Sequence, residues 1–142
     1  MGSDLAPRAL VYDSDLLFSV RITESLNKVG YDTRTVRRLD AFADAITTWR
    51  PRIAIVNMSS RGVEWQAAVT AAQDAGLPMV AFGPHVETEA QNEARRLGAA
   101  AVVANSQLVA DLPAIIERAL RRAKRRLTVN ESATQADARE GD

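Results

Sequence analysis

Arg50-Pro51-Arg52-Ile53-Ala54-Ile55-Val56-Asn57 is the stretch on which the fold turns. Pro51 ends any helix before it, because the residue preceding a proline is pushed out of the helical region. Four apolar residues, three of them β-branched, then run without a polar break to Asn57. Such a run is too short for a typical helix and shows no alternation. It predicts a strand buried on both faces, the habit of parallel sheets. Parallel neighbours need crossovers of a dozen or so residues, usually helical.

The flanks supply those crossovers. Upstream, Leu39, Phe42, Ala43, Ile46 and Trp49 lie on one face of a helix over Leu39–Trp49. Before it come a weaker strand over Tyr31–Val36 and a helix over Leu16–Val29 closed by Gly30. The first strand is Ala9–Tyr12, ending at Asp13. Downstream, Ser59–Gly62 reads as a loop and Val63–Ala75 as a helix closed by Gly76. Met79–Phe82 is a fourth strand, broken by Gly83-Pro84. A polar helix over Glu87–Leu97 stops at Gly98, and Ala99–Ala104 is a strand of small residues. The last helix is expected to open at Asp111 or Leu112, with Pro113 in its first turn, and to run to about Arg126. From Thr128 to Asp142 little could pack, which predicts a disordered tail after a domain spanning residues 1–127.

Five βα units imply a doubly wound α/β sandwich with right-handed crossovers. Two strand orders compete, a flavodoxin-like 2-1-3-4-5 and a Rossmann-like 3-2-1-4-5. Periodicity does not separate them, and both place a site at the carboxyl ends of the strands.

Composition narrows the chemistry. The 142 residues include no cysteine, which excludes disulfides, thiolate metal sites and a cysteine nucleophile. The single histidine, His85, excludes sites built from several histidines. Eighteen basic and eighteen acidic side chains cancel, so no global field draws the chain to nucleic acid or membrane. No apolar run approaches the ~20 residues that span a bilayer, and the first ten residues lack the order of an export signal. A cytoplasmic protein is expected. No Gly-x-Gly-x-x-Gly or phosphate-loop motif is present, and no cofactor or resident metal is expected.

The strand ends carry the polar residues: Tyr12-Asp13-Ser14-Asp15, Asn57-Met58-Ser59, Phe82-Gly83-Pro84 and Ala104-Asn105-Ser106. Asp13 and Asp15 read as one helix cap and one solvated carboxylate rather than as metal ligands. An alternative use of this end is a small-molecule pocket around Asp13, Asn57, Gly83 and Asn105. Trp65, between Glu64 and Gln66, is a candidate interface residue, whereas Trp49 is expected to pack beneath its own helix end.

With these residues in view, the stretch from Arg8 to Arg126 resembles the receiver domain of two-component response regulators. The resemblance rests on the order of elements, the acidic turn after the first strand, and Gly98-Ala99 opening the fifth. It implies the 2-1-3-4-5 order. It also implies a site of paired acids that hold Mg²⁺, a phosphoacceptor aspartate, a hydroxyl and a lysine. Placed on this sequence, those positions hold Asp13, Ser14, Asn57, Gly83 and Asn105, so only the first acid is retained. An amide nitrogen is no nucleophile, so Asn57 cannot form an acyl phosphate. Mg²⁺ wants carboxylate oxygens, and Ser14 and Asn57 are neutral. The expectation is therefore a degenerate pseudo-receiver that is not an enzyme. It would act independently of phosphorylation through protein–protein contacts in bacterial signalling.

The resemblance also implies a working face on the fourth helix, fifth strand and fifth helix, with a homodimer as one expected use. Glu87, Glu89 and Glu93 could there meet Arg118, Arg121 or Arg122. Six basic residues between Arg118 and Arg126 could instead attract phosphate backbones. Cations also favour helix C-termini, and no helix-turn-helix or aromatic platform accompanies them. Nucleic-acid binding is not expected.

Overall fold

The computed structural model describes residues 6–59, 64–84 and 88–140, the last fifteen of these by backbone alone. Five strands, β1 (Arg8–Tyr12), β2 (Asp32–Val36), β3 (Ile53–Asn57), β4 (Met79–Gly83) and β5 (Ala101–Ala104), form one parallel sheet in the order 2-1-3-4-5. Five helices alternate with them: α1 (Leu16–Lys28), α2 (Leu39–Thr48), α3 (Trp65–Asp74), α4 (Thr88–Leu97) and α5 (Asn105–Glu140). The flavodoxin-like order expected from the resemblance is the one observed, and the Rossmann-like order is excluded.

Apart from Arg8 at the start of β1 and Asn57 at the end of β3, the central strands carry no charged or amide side chain, as suits a sheet covered on both faces. Leu10, Tyr12, Ala54, Val56, Met79 and Ala81 point to one side, where Phe42, Ala68, Val69 and Ala94 bring α2, α3 and α4 onto them. Ala9, Val11, Ile53, Ile55, Val80 and Phe82 point to the other, under α1 (Ile22, Leu26) and α5 (Leu108, Leu112, Ile115, Ile116). The strand period of two thus builds both cores from single runs of sequence. β2 is an edge strand, and its sequence DTRTV is mostly exposed, which explains its weaker signal.

Both tryptophans are half-buried against the first core, so Trp65 packs on the domain. Trp49 sits beneath its own helix end as expected, with the guanidinium of Arg8 5.5 Å and that of Arg34 4.7 Å from its ring centroid. Arg50, after the end of α2, takes φ 52°, the left-handed region, and so leaves the helix before Pro51.

The last helix differs from expectation at both ends. It begins at Asn105, and Asp111 (φ −142°, ψ 31°) breaks it into a short first segment and the main helix. The main helix does open beside Pro113, as its fixed φ and missing N–H favour. At the other end the backbone stays helical to Glu140, where the low apolar content of Thr128–Asp142 predicted disorder. Low apolar content does not forbid a helix; Ala, Glu, Gln and Arg in this stretch are good helix formers.

Candidate functional site

Strand register assembles the site. Tyr12 pairs with Val56, so the next residues, Asp13 and Asn57, stand side by side at the carboxyl ends of β1 and β3. Asn57 pairs with Phe82, and Gly83 with Ala104, which carries the row across to Gly83 and Asn105. Tyr12 fixes the end of β1. Its ring stacks on Phe42 with centroids 5.2 Å apart, and its hydroxyl accepts a hydrogen bond from the Glu64 N–H at 3.1 Å.

Of Asp13 and Asp15, one was expected to cap the helix and the other to be solvated; Asp13 does not fit the solvated role, since it is 1% exposed. A buried carboxylate is tolerated only when its oxygens are hydrogen-bonded. Here both are. The Asn57 side-chain amide donates to Oδ1 at 3.0 Å, and the Asp15 backbone N–H donates to the same oxygen at 2.9 Å. The Ser19 hydroxyl lies 3.3 Å from Oδ2 and 2.8 Å from the Asp15 carbonyl. The carbonyl oxygen of the Asn57 amide faces away from Asp13 and accepts the backbone N–H and hydroxyl of Ser59, each at 2.9 Å. Asp15 is the cap that was expected: its side chain accepts the Phe18 N–H at 3.1 Å and opens α1.

Ser19 had not been singled out from sequence. Its only signal was its place one turn into α1, facing inward among apolar neighbours. Ser14 is half-buried beside this knot. Gly83 is buried at the end of β4, and the side-chain oxygen of Asn105 is buried without a hydrogen-bond partner among the described residues. Three clefts formed by described residues have none of Asp13, Asn57, Gly83 or Asn105 in their walls, although one of about 350 Å³ is lined in part by Ser19.

These donors do not fit the Mg²⁺ and phosphoryl group that the fold implies. Asp13 turns both oxygens to donors of the chain itself. Asn57 presents an N–H₂ where a metal would need oxygen, and two oxygens facing each other across that gap would repel. Gly83 and Asn105 bring neither the hydroxyl nor the cation that a phosphoryl group requires. Among the described residues no group of three His, Asp or Glu side chains is close enough to share a metal.

A second concave surface lies between the two helical layers along the outer edge of β5, a cleft of about 530 Å³. Arg118 and Arg122 of α5 and Arg95 of α4 stand in its wall. Of the residues expected on this face, Arg121, Glu89 and Glu93 are not in that wall, and Glu87 lies outside the described residues, as does the loop residue His85. Leu108, Leu112 and Ile116 of α5 are buried in the core.

No family model and no curated protein matches the chain. Solved structures do. A receiver domain of a modulated diguanylate cyclase from Desulfovibrio desulfuricans G20 superposes with a TM-score of 0.73 at 21% identity, over 84% of this chain and 97% of that one. The N-terminal domain of a response regulator/sensory box/GGDEF protein from Carboxydothermus hydrogenoformans gives 0.72 at 23%, over 84% and 98%. A chain that fuses a trimeric coiled coil of yeast Spc42 to another structure gives 0.76 at 24%, over 94% and 91%. At these identities the likeness concerns the fold, which is that of response-regulator receiver domains.

Proposed function

We propose that this chain is a phosphorylation-independent pseudo-receiver that acts in bacterial signalling by binding a protein partner. One observation carries the reading: the residue at the acceptor position, Asn57, donates its side-chain amide to Asp13, the one acid among the five mapped positions. A receiver site works by gathering charge around a metal and a phosphoryl group. Here the same place is a closed set of hydrogen bonds around a single carboxylate, which holds the ends of β1 and β3 together. The receiver fold supports a role in signalling, and the loss of the switch leaves binding as the means of output. Among the described residues no helix is long and apolar enough to cross a membrane, which fits a partner met in solution.

The test is direct. Incubate the protein with Mg²⁺ and acetyl phosphate, and separately with beryllofluoride, and record intact mass and amide NMR shifts. No adduct and no saturable shift at Asn57 are expected. A stoichiometric adduct would overturn the reading. Restoring the acid with Asn57→Asp alone should yield little adduct, because Gly83 and Asn105 still lack the hydroxyl and the cation.

A further inference from the structure

β5 is the last strand of the sheet, so one row of its backbone N–H and C=O groups has no strand partner. Such an edge invites another strand unless something covers it. Here the two helical layers stand apart over the edge and leave the 530 Å³ cleft, with Val102 at its floor and Ile115 in its wall. Arg95 looks in from α4. Arg118 and Arg122 look in from α5, and Arg125 joins Arg95 and Arg122 around an adjoining cleft of about 260 Å³. Residues 118, 122 and 125 are one α-helical turn apart, so the three guanidiniums form a row along one stripe of α5. All four arginines are exposed, and none of them is ion-paired among the described residues. Arg122 only reaches back to the Ala100 carbonyl, at 3.3 Å. The one acid in the wall is Asp111, at the break in α5.

We propose that this edge takes an extended acidic peptide segment of a partner protein, added as a sixth strand beside β5. The inference rests on the protein-binding reading above and names the chemistry of the partner. The unpaired strand edge, apart from the Ala104 N–H held by the Gln107 side chain at 3.2 Å, supplies main-chain hydrogen bonds, and alternate side chains supply selectivity. An added strand would turn every second side chain toward α5, where Arg118, Arg122 and Arg125 stand. Glu or Asp is favoured at those positions, since guanidiniums hold carboxylates in paired hydrogen bonds. The intervening side chains would turn toward the α4 layer. The apolar Val102 and Ile115 in the cleft favour a peptide over a nucleic acid, whose phosphates would gain nothing from them.

The experiment uses the full chain and a fluorescein-labelled octapeptide of alternating Glu and Val, followed by fluorescence anisotropy at low and high salt. Saturable binding that weakens at high salt is expected. Arg118→Glu with Arg122→Glu should weaken it at least tenfold. Arg96→Glu, on α4 but outside the cleft wall, should leave it unchanged. An octapeptide of the same sequence with alternate amides N-methylated should also bind at least tenfold more weakly, because it cannot pair with the strand edge. Thermal melts of each variant confirm that it is folded. No binding at millimolar peptide would overturn the proposal. So would equal binding of the N-methylated peptide, tighter binding of an eight-nucleotide RNA, or a charge reversal that changes only self-association in sedimentation. The phosphodonor assay above is unaffected by any of these results, so failure of the cleft and failure of the pseudo-receiver reading are told apart.

Discussion

An amide and a carboxylate have nearly the same shape, yet beside a buried carboxylate they act in opposite directions. Asn57 gives Asp13 a proton donor at 3.0 Å; an aspartate would give it a second negative charge. Asn57→Asp should therefore cost about 1–3 kcal/mol of stability near neutral pH. The two carboxylates would relieve their repulsion by sharing a proton, so their pKa rises in the folded state. Stability tied to a raised pKa is present below the unfolded value and is lost as pH rises. The penalty should thus shrink toward pH ~4, which melts across a pH series would read. Tyr31 gives a second test. Burial pushes its hydroxyl above the ordinary value of 10.0; nearby Arg52 pulls it down, and Glu117 pushes it up again. The unfolded chain ionises first, so part of the stability should be lost above pH 10. Tyr31→Phe should remove that alkaline component and leave melts at neutral pH little changed. At this scale the sequence was legible in part. The five strand-end positions could be lined up, because each follows an apolar run. That Asp13 is buried could not be read, because its partners Asn57 and Ser19 lie 44 and 6 residues away and meet it only through strand register and the packing of α1.

Helix ends decide how these strands are delivered. α2 leaves its helix through Arg50 at φ 52°, a conformation that carries a steric cost for any residue with a Cβ. The next residue is Pro51, which already bars a helix, so the left-handed residue makes the turn and the proline fixes it. Arg50→Gly should stabilise the protein by ~0.5–1 kcal/mol, the relief of strain being offset by the greater freedom of glycine in the unfolded chain. Chemical denaturation would measure it; a loss of stability would mean that the arginine side chain has a contact worth more than the strain. Strands were the easiest elements to read, since β1, β3 and β4 are each built on an apolar run of four residues or more. The short helical segment before Asp111 was missed, because Asn105-Ser106 carries the polarity of a loop and Leu108 alone marks its inward face. The continuation of α5 was not legible for another reason: low apolar content speaks to what can pack, whereas backbone helicity also follows residue propensity.

For the whole molecule, the order of strands was not contained in any one element. Periodicity allowed two orders, and only the family resemblance favoured the one observed. Among the residues whose side chains are described, the two cores close on either side of the sheet with residues no later than Leu120. Residues 128–142 carry little apolar area, so their removal should shift the thermal midpoint by no more than a few degrees. The mean-residue helix signal in far-ultraviolet circular dichroism should change with the residues removed, and the unfolding cooperativity should stay. A larger shift would show that the end of α5 folds back on the domain.

The hydrogen bond between Asn57 and Asp13 has a further consequence in time. A phosphorylated receiver can be turned on and off within the lifetime of a single molecule, so its output follows kinase and phosphatase activity. A chain whose equivalent site is sealed has no such clock. On the reading proposed here, mass action sets the occupancy of its partner, through the number of copies of each and their affinity. Its response would then be as slow as synthesis and degradation and as steep as the gene dosage, a rheostat adjusted by supply.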